Sequence, residues 1–451
     1  MSRILVALSP ITGHVRPALP VVAALVEAGH DVVVYTGSKF AGSVAATGAA
    51  VAPMVRGRDI DDAHLDAWSK AQGAPAPGVR RLQWDVRHVF VEPIPDYVAD
   101  LTDLVATFAP DVVLSESAFV AGAVAAARHG LPCVALSVIP LSVSSRDTAP
   151  FGTGLPPATN ALDRARYAAL RLVVERVVFR DAQRAARDAM DSLGMPRPAG
   201  FLLDWVHELA TCVLHASVPG LEHPRSDLPA SVELVGPILP AGVDAFERPA
   251  WWQGVLDACS SRRPVVLVTQ GTVATDPDRL LRPALEALAD EDVLVVATAD
   301  PEDVRLTGVV PANARLASFV PFEHLLPFVD VLVTNGGFGG VQQALVHGVP
   351  VLVAGRTEDK AEVGARVVRA GVGVRVRTDP RTDVATAQDV RTAVRTVLAD
   401  GRFGAQARAL AAEYADYDAV ARTVEVVQAL AARPGRSAAA AVGAGGRRRA
   451  A

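Results

Sequence analysis

A glycine-rich turn, Asn335-Gly336-Gly337-Phe338-Gly339-Gly340, stands between an apolar run at residues 329–333 and a helical pattern at residues 339–347. The apolar run predicts a buried strand, so the turn joins a strand to the start of a helix. Glycines let a ligand approach the backbone closely, and the first N–H groups of a helix have no intrahelical partner. The turn therefore predicts an anion site whose ligand is phosphate.

Carboxylates follow the next apolar run along the chain. Thr357-Glu358-Asp359-Lys360 comes after residues 349–354, which predict a second buried strand. A carboxylate can accept hydrogen bonds from sugar hydroxyls, and this one stands one strand away from the phosphate site. Together the two features predict a site for a sugar nucleotide.

A histidine and a glutamate follow strands of the first half. His14 comes after the strand predicted at residues 3–8, in a loop before Pro17, which suits the first position of a helix. A neutral imidazole there is suited to act as a general base, and the alternative is an ordinary surface histidine. Glu116 follows the strand predicted at residues 111–114. It could orient His14, or favour the start of a helix by its charge.

Four further residues could contact a nucleotide. Gly271 and Thr272 follow the strand predicted at residues 264–269, and they offer backbone N–H and hydroxyl groups to phosphate unless they form a plain turn. Phe319 or Phe322 could stack on a nucleobase, although an isolated phenylalanine is also a common core residue.

Two patterns point to other chemistry and are set aside. Asp59-Ile60-Asp61-Asp62 matches a D-x-D metal pattern used by another class of nucleotide-sugar enzymes, but it lacks the glycine turn and the strand context. We interpret it as solvated surface. The first strand is followed by Thr12-Gly13-His14, with a single glycine, so the G-x-G-x-x-G pattern of nicotinamide and flavin sites is missing there.

Strands and helices alternate through both halves of the chain. Near-continuous apolar runs separated by helical patterns predict two α/β domains, each a Rossmann-like, doubly wound parallel sheet, that face a cleft. Ligands of such sheets bind beyond the carboxyl ends of the strands. The predicted units are an N-terminal domain 1–217, an interdomain linker 218–242, a C-terminal domain 243–415, a helix 416–432 that packs back on the first domain, and a disordered tail 433–451.

Composition limits the partners. The chain has 451 residues, of which 50% are hydrophobic, and a net charge of −5 with both signs interspersed, which argues against a general nucleic-acid binder. Cys133, Cys212 and Cys259 are far apart, and no disulfide or zinc spacing follows from them. We expect no signal peptide and no membrane span, and therefore a reduced, cytoplasmic setting.

Over residues 3–432 the chain resembles the family 1-type glycosyltransferases, which include bacterial macrolide and natural-product glycosyltransferases and plant UDP-glucosyltransferases. Gly13-His14-Val15-Arg16-Pro17 is similar to the family's G-H-x-x-P, whose histidine is the catalytic base. Phe319-Val320-Pro321 is similar to the aromatic-x-Pro of the family's donor signature. The glycine-rich turn and the pair Asp359-Lys360 are similar to later parts of that signature in order and spacing. The resemblance implies the GT-B fold and a nucleotide-sugar donor.

Five positions depart from the family pattern. Asn335 stands in place of a histidine that touches the diphosphate, and Gly340 in place of a serine or threonine. Gln343 replaces a glutamate that holds ribose hydroxyls, Lys360 replaces a glutamine that contacts the sugar, and Glu116 replaces the usual aspartate partner of the base. These changes leave the expected fold and reaction intact, and they leave the donor open between a UDP-sugar and a dTDP-sugar.

The resemblance thus implies an inverting glycosyltransferase that needs no cofactor and no metal. We expect the first domain to bind a small lipophilic acceptor and the second a nucleoside-diphosphate sugar, in a monomer or homodimer with no nucleic-acid partner. His14 and Glu116 are the predicted catalytic residues. The predicted donor-binding residues are Gly271, Thr272, Phe319, Val320, Asn335, Gly337, Gly339, Gly340, Gln343, Glu358, Asp359 and Lys360. Two alternatives stay open: an epimerase-like nucleotide-sugar-modifying enzyme on the same fold, and a non-catalytic nucleotide-sugar-binding protein.

Overall fold

The computed structural model describes residues 1–76, 78–240, 246–271, 276–299, 310–379 and 382–432. Within these ranges the chain forms two parallel β-sheets with apolar layers on both faces. Thr272, the end of the predicted linker and the predicted tail 433–451 lie outside the described residues.

The first sheet is built from the N-terminal half of the chain. Its strands are β1 Arg3–Ala7, β2 Asp31–Tyr35, β3 Ala50–Ala52, β4 Val112–Glu116, β5 Cys133–Ser137, β6 Cys212–His215 and β7 Val232–Leu234. Their spatial order is β3-β2-β1-β4-β5-β6-β7, and the adjacent strands are parallel. The order reverses between β1 and β4, where Ala7 lies opposite Ser115. Ligands of such sheets bind at this reversal, beyond the carboxyl ends of the strands.

The second sheet repeats this plan. Its strands are β8 Val265–Thr269, β9 Leu294–Thr298, β10 Ala314–Ala317, β11 Val331–Thr334, β12 Val351–Val353 and β13 Gly373–Arg375. Their order is β10-β9-β8-β11-β12-β13, again parallel between neighbours. The order reverses between β8 and β11, where Thr269 lies opposite Thr334.

Helices connect the strands of each sheet. In the N-terminal half they are α1 Thr12–Val15, α2 Leu19–Glu27, α3 Ala41–Ala45, α4 Leu65–Ala71, α5 Val79–Asp85, α6 Ile94–Phe108, α7 Val120–His129, α8 Ala161–Val173, α9 Arg180–Ser192 and α10 Trp205–Leu209. In the C-terminal half they are α11 Trp252–Ser261, α12 Leu281–Leu288, α13 Phe322–Leu325, α14 Phe338–Val346, α15 Lys360–Ala370, α16 Ala387–Ala399, α17 Gly401–Tyr414 and α18 Ala419–Ala431. Single π-helical turns, Val86–Val91 and Val174–Val178, follow α5 and α8.

Both faces of each sheet are buried, which explains the near-continuous apolar strands. On β1, Ile4 and Val6 pack on one face, and Leu5 and Ala7 pack on the other. Burying a large aliphatic side chain stabilises a fold by about 1.5–3 kcal/mol. A sheet covered on both sides therefore needs apolar residues at successive positions of a strand.

The last helix, α18, packs against the first domain. Val427 and Leu430 belong to the apolar layer formed by α2 and the first sheet. Arg422 forms an ion pair with Glu233 of β7 at 2.6 Å. The chain thus enters the C-terminal domain after β7 and returns to the N-terminal domain at its end.

Several elements differ from the sequence expectations. β7 lies inside residues 218–242, the predicted linker, and joins the edge of the first sheet. β7 and β13 have three residues each, which is too few for the hydrophobic pattern of a strand to be recognised in the sequence. The helices α4 and α5 lie in a part of the chain for which no helix was predicted. The loop expected after β1 contains α1, a single helical turn that carries His14.

Within the described part of the chain, none of the helices combines the length and the apolarity that crossing a bilayer requires. Among the same residues, no group of three or more histidine, cysteine, aspartate or glutamate side chains could hold a metal ion. The expected independence of metals stays a prediction.

Candidate active site

His14 and Glu116 meet where the strand order of the first sheet reverses. α1 follows β1 and carries His14, and Glu116 is the last residue of the adjacent strand β4. His14 Nδ1 lies 2.9 Å from Glu116 Oε2, with 15% of the histidine side chain exposed and none of the glutamate side chain. The buried carboxylate therefore faces one ring nitrogen at ion-pair distance, and the exposed part of the ring is left for a ligand.

The second oxygen of Glu116 is held by its own loop. Oε1 accepts hydrogen bonds from the backbone N–H of Ala118 at 2.9 Å and from the hydroxyl of Ser117 at 3.2 Å. Oε2 lies at ion-pair distance from His14 Nδ1, without the angles of a hydrogen bond, and among the described residues it has no hydrogen-bond partner. The carboxylate is thus fixed on one side and directed at the imidazole on the other.

Nearby carboxylates increase the basicity of His14, most of all Glu116 and Asp359. Burial lowers the pKa of the imidazole, but the charges of Glu116 and Asp359 outweigh this effect, so the pKa is raised above its ordinary value. Glu116 belongs to the first domain and Asp359 to the second. Because both carboxylates favour the protonated form of His14, residues of both domains lie near one another at the cleft.

Asp359 directly precedes α15 at the edge of the second sheet. Burial and the neighbouring charge of Glu358 raise the pKa of Asp359 to about 6, although Lys360 and His14 oppose the shift. Glu358 has a left-handed backbone with φ 57°. Its carboxylate forms an ion pair with the Lys360 ammonium at 2.8 Å. Lys360 is buried to 9% exposure, so its charge is directed at Glu358 rather than into open solvent.

The glycine-rich turn follows β11 at the reversal of the second sheet. α14 begins at Phe338, and Gly337 supplies no side-chain cap for its first N–H groups. Gly336 has φ 99°, and a Cβ there would lie 2.5 Å from Val353 Cγ1. Only glycine fits this position, and it turns the chain so that the start of α14 is open to an anion.

Asn335 ties this turn to the neighbouring strand. Its Nδ2 donates a hydrogen bond to the carbonyl of Gln270, directly after β8. Gly271 follows with φ 74°, and a Cβ there would lie 3.7 Å from Asn335 Oδ1. The side chain expected at a diphosphate thus already uses one of its two N–H groups inside the protein.

The two candidate stacking phenylalanines have different surroundings. Phe319 is 67% exposed, whereas Phe322 packs against the core of the second domain. Val320 between them is buried at 2% exposure and anchors the segment. Gln343 lies on α14, where its amide donates to the carbonyl of Gly339 at 3.4 Å.

A small cavity of about 10 Å³ lies between the segments that carry His14 and Glu116, with Ile11 and Ala118 among its lining residues. Its walls come from the end of β1, from the start of α7 and from the segment that contains α4 and α6, and they are mostly apolar. They include Ile11, Ile60, Phe90, Tyr97 and Phe119. Pockets for small organic ligands are much larger, about 300–1,000 Å³, so these residues form an apolar wall rather than a preformed ligand pocket.

Buried charges join α15 to the first domain. The Arg366 guanidinium lies 2.9 Å from both Glu222 Oε2 and Glu362 Oε2. Glu362 Oε1 accepts hydrogen bonds from the backbone N–H groups of Gly152 and Gly154, at 3.0 and 2.9 Å. This network holds α15, and with it Asp359, against the first domain.

The interpretation of the D-x-D segment as solvated surface is wrong for Asp62. Its side chain is buried, and its Oδ2 accepts a hydrogen bond from the backbone N–H of Thr12 at 2.8 Å. Lys39 contacts both Asp62 and Asp61. Sequence patterns missed this because the partners are far apart in the chain and a run of aspartates is usually exposed.

The fold is that of the GT-B glycosyltransferases. The structure matches the crystal structure of the calicheamicin glycosyltransferase CalG4 with a TM-score of 0.72 and 21% identity, over 97% of this chain and 99% of that chain. It also matches glycosyltransferase VinC, solved in complex with dTDP, with a TM-score of 0.64 and 24% identity, over 96% and 100% of the two chains. The predicted pair of parallel-sheet α/β domains is confirmed.

The sequence relatives define the family. The chain is 41% identical to 4'-demethylrebeccamycin synthase of Lentzea aerocolonigenes over 95% of this chain and 99% of that protein. It is 31% identical to UDP-glucosyltransferase A1 of Starmerella bombicola over 94% and 91% of the two chains. The family model "Erythromycin biosynthesis protein CIII-like, C-terminal domain" matches residues 282–432. The chain belongs to the family 1-type glycosyltransferases of natural-product biosynthesis and is an enzyme of that class.

Proposed function

We propose that this enzyme transfers a sugar, with inversion at the anomeric carbon, from a UDP- or dTDP-sugar to a hydroxyl group of a small lipophilic acceptor. The observation that carries the proposal is the pairing of His14 with the buried Glu116 after β1 and β4, with Asp359 of the second domain near enough for its charge to act on the same ring. Two solved glycosyltransferases of the same fold, VinC and SsfS6, are complexes with thymidine diphosphate (dTDP), which supports a nucleotide donor.

In this proposal His14 is the general base. As the acceptor oxygen attacks the anomeric carbon, its proton moves to the ring nitrogen opposite Nδ1, and Glu116 stabilises the imidazolium that forms. The bond between the anomeric carbon and the diphosphate oxygen breaks, and the diphosphate takes the electron pair. Attack opposite to the leaving group inverts the anomeric centre.

The second domain receives the nucleotide. The turn Gly337–Gly340 offers backbone N–H groups to the leaving diphosphate, which stabilises the developing negative charge without a metal. The Gly271 N–H donates to the Thr269 hydroxyl at 3.2 Å, so Gly271 contributes by letting the diphosphate approach the backbone closely. Phe319 stacks on the base beside Val320. Gln343 contacts the ribose, and Asp359, flanked by Glu358 and Lys360, accepts hydrogen bonds from the sugar hydroxyls. Asn335 positions the turn through Gln270 and offers its remaining N–H to phosphate.

The apolar residues around the small cavity are the proposed wall of the acceptor site. Phe90, Phe119 and Ile60 offer apolar surface to a lipophilic molecule, and the same lining includes Ile11 and Ala118 from the segments that carry His14 and Glu116. The acceptors of related enzymes named for rebeccamycin and calicheamicin are natural products, which supports the same class here.

A donor screen followed by an acceptor screen tests this function. UDP- and dTDP-sugars are expected to raise the thermal unfolding midpoint, since a ligand at 100 times its Kd adds about 2.7 kcal/mol of stability. The donor that binds is then incubated alone and with a panel of aromatic natural products bearing hydroxyls. Mass spectrometry should detect a glycosylated acceptor and free nucleoside diphosphate. Conversion of the sugar without acceptor would favour the epimerase-like alternative, and binding without turnover would favour the non-catalytic one.

Asp359→Ala should lower the affinity for the intact nucleotide sugar and leave the affinity for the free nucleoside diphosphate unchanged. Calorimetry can measure both affinities. Since the pKa of Asp359 is raised to about 6, the carboxylate gains a proton as the pH falls through 6. The wild-type enzyme should then also lose affinity for the intact donor. Glu358→Gln is the matched control, because removing that charge should move the pH midpoint downward without abolishing binding. If Asp359→Ala lowered the affinity for both ligands equally, Asp359 would have a structural role.

A further inference from the structure

The acidic segment 59–62 reaches the helix turn that carries His14. Asp62 Oδ2 accepts a hydrogen bond from the backbone N–H of Thr12 at 2.8 Å, across 50 positions of the chain. The Asp62 side chain is 4% exposed, and Lys39 contacts it from the other side. Lys39 also lies 2.8 Å from Asp61, which is largely exposed. Asp62 is thus enclosed between α1 and one cation.

α1 depends on this contact for the position of its first residue. The helix has four residues, and its N-cap residue Ile11 offers no side-chain hydrogen bond. Thr12 begins the helix, and its N–H would lack an intrahelical partner. Asp62 supplies the missing acceptor from a distant segment, as a capping carboxylate does in an ordinary helix. Movement of Thr12 would move His14, two residues further along the same turn.

Charges from three segments act on the His14 ring. Glu116 comes from β4, Asp359 from the start of α15, and Asp62 from the segment before α4. Each favours the protonated imidazole. Lys39 is paired with Asp62, so it partly cancels one of the three negative charges.

We propose that Asp62 is a positioning residue for His14, and that Lys39 sets how much of the Asp62 charge His14 experiences. The inference rests on the proposed role of His14 as the base. It extends that role to two residues that do not touch the reacting atoms. Asp62 fixes where α1 stands, and the Asp62–Lys39 pair sets the pH range in which the base is free to accept a proton.

The effect of the Asp62 and Lys39 charges on His14 can be tested without any substrate. NMR of histidine-labelled enzyme monitors the titration of His14. His14→Ala identifies the signal among the 10 histidines. Asp62→Asn keeps an acceptor for Thr12 but removes a negative charge, so the pKa of His14 should fall. Lys39→Met exposes His14 to the full Asp62 charge, so the pKa should rise. The matched control Asp61→Asn leaves the Asp62–Lys39 contact in place and should titrate as wild type.

Opposite shifts in Asp62→Asn and Lys39→Met, with the control unchanged, support the proposal. Unchanged titration in both variants, or an Asp61→Asn shift equal to that of Asp62→Asn, overturns it. The midpoint of the pH profile of kcat/KM should move in the same two directions, because the base must be unprotonated to act.

Kinetic measurements test the role of Asp62 in positioning His14. Asp62→Ala removes the acceptor of the Thr12 N–H, so kcat should fall by about tenfold or more while the donor KM stays near wild type. A rise in donor KM with an unchanged kcat would contradict positioning. If His14→Ala retained full activity, the proposed base would fail, whereas the NMR titration would still decide whether Asp62 and Lys39 act on His14.

Discussion

Replacement of His14 by alanine is expected to lower turnover on hydroxyl acceptors by roughly 10²–10⁴-fold, the usual contribution of a general base. The physical reason is that the acceptor hydroxyl must lose its proton as it attacks, and the described residues place the His14 ring next to a buried carboxylate at the cleft. Single-turnover rates with saturating donor measure the effect directly. Donor affinity by calorimetry should remain near wild type, because the proposed nucleotide site lies in the other domain.

Glu116→Gln is the paired variant for this experiment. It keeps the shape of the side chain and the contacts of Oε1, but it removes the charge that faces His14. The loss in turnover should be smaller than for His14→Ala, and the pKa of His14 should fall. Activity would then extend to lower pH at a reduced maximum. Turnover of His14→Ala equal to that of the wild type would exclude the histidine as the base.

The second large effect is expected from Arg366→Met. Arg366 is fully buried between Glu222 and Glu362, and its removal leaves Glu362 without a cation and Glu222 with Arg225 alone, at 3.5 Å. Breaking a buried ion pair costs about 3–5 kcal/mol, much more than an exposed one. The free energy of unfolding, measured by denaturant titration with tryptophan fluorescence, should fall by that amount. Donor turnover should fall as well, because α15 loses its contact with the first domain.

Arg395→Met is the control, since its ion pair with Glu291 is on the surface and its side chain is 66% exposed. It should cost about 0–1 kcal/mol. Adding Glu362→Gln to Arg366→Met removes the unpaired charge and should recover part of the lost stability. Equal losses in Arg366→Met and Arg395→Met would show that the buried network contributes no more than a surface pair.

The sequence predicted the parts of the fold whose signals are local. The apolar runs of β1, β4, β8 and β11 are long enough to identify strands, and alternation with helices defines the doubly wound class. From that class alone, His14 and Glu116 were expected at one sheet edge, and the structure brings them to 2.9 Å. The glycine-rich turn was likewise expected between a strand and a helix, and it lies between β11 and α14.

The contacts between distant segments could not be predicted. Asp62 carries no pattern that distinguishes a capping carboxylate from a solvated one, and its partner Thr12 lies 50 positions away. Arg366 and Glu362 look like an exposed pair on a helix, although both are buried against the first domain. Such roles depend on how the two domains meet, which periodicity and composition do not encode.

The return of α18 to the first domain determines how these enzymes can be recombined. A chimera that takes its donor domain from a relative and continues to the end of that relative's chain would bring a foreign α18 onto α2. Val427 and Leu430 would then be replaced in a core that was packed for them. A junction placed between α17 and α18, in residues 415–418, keeps that helix with its native partner and changes the donor half alone.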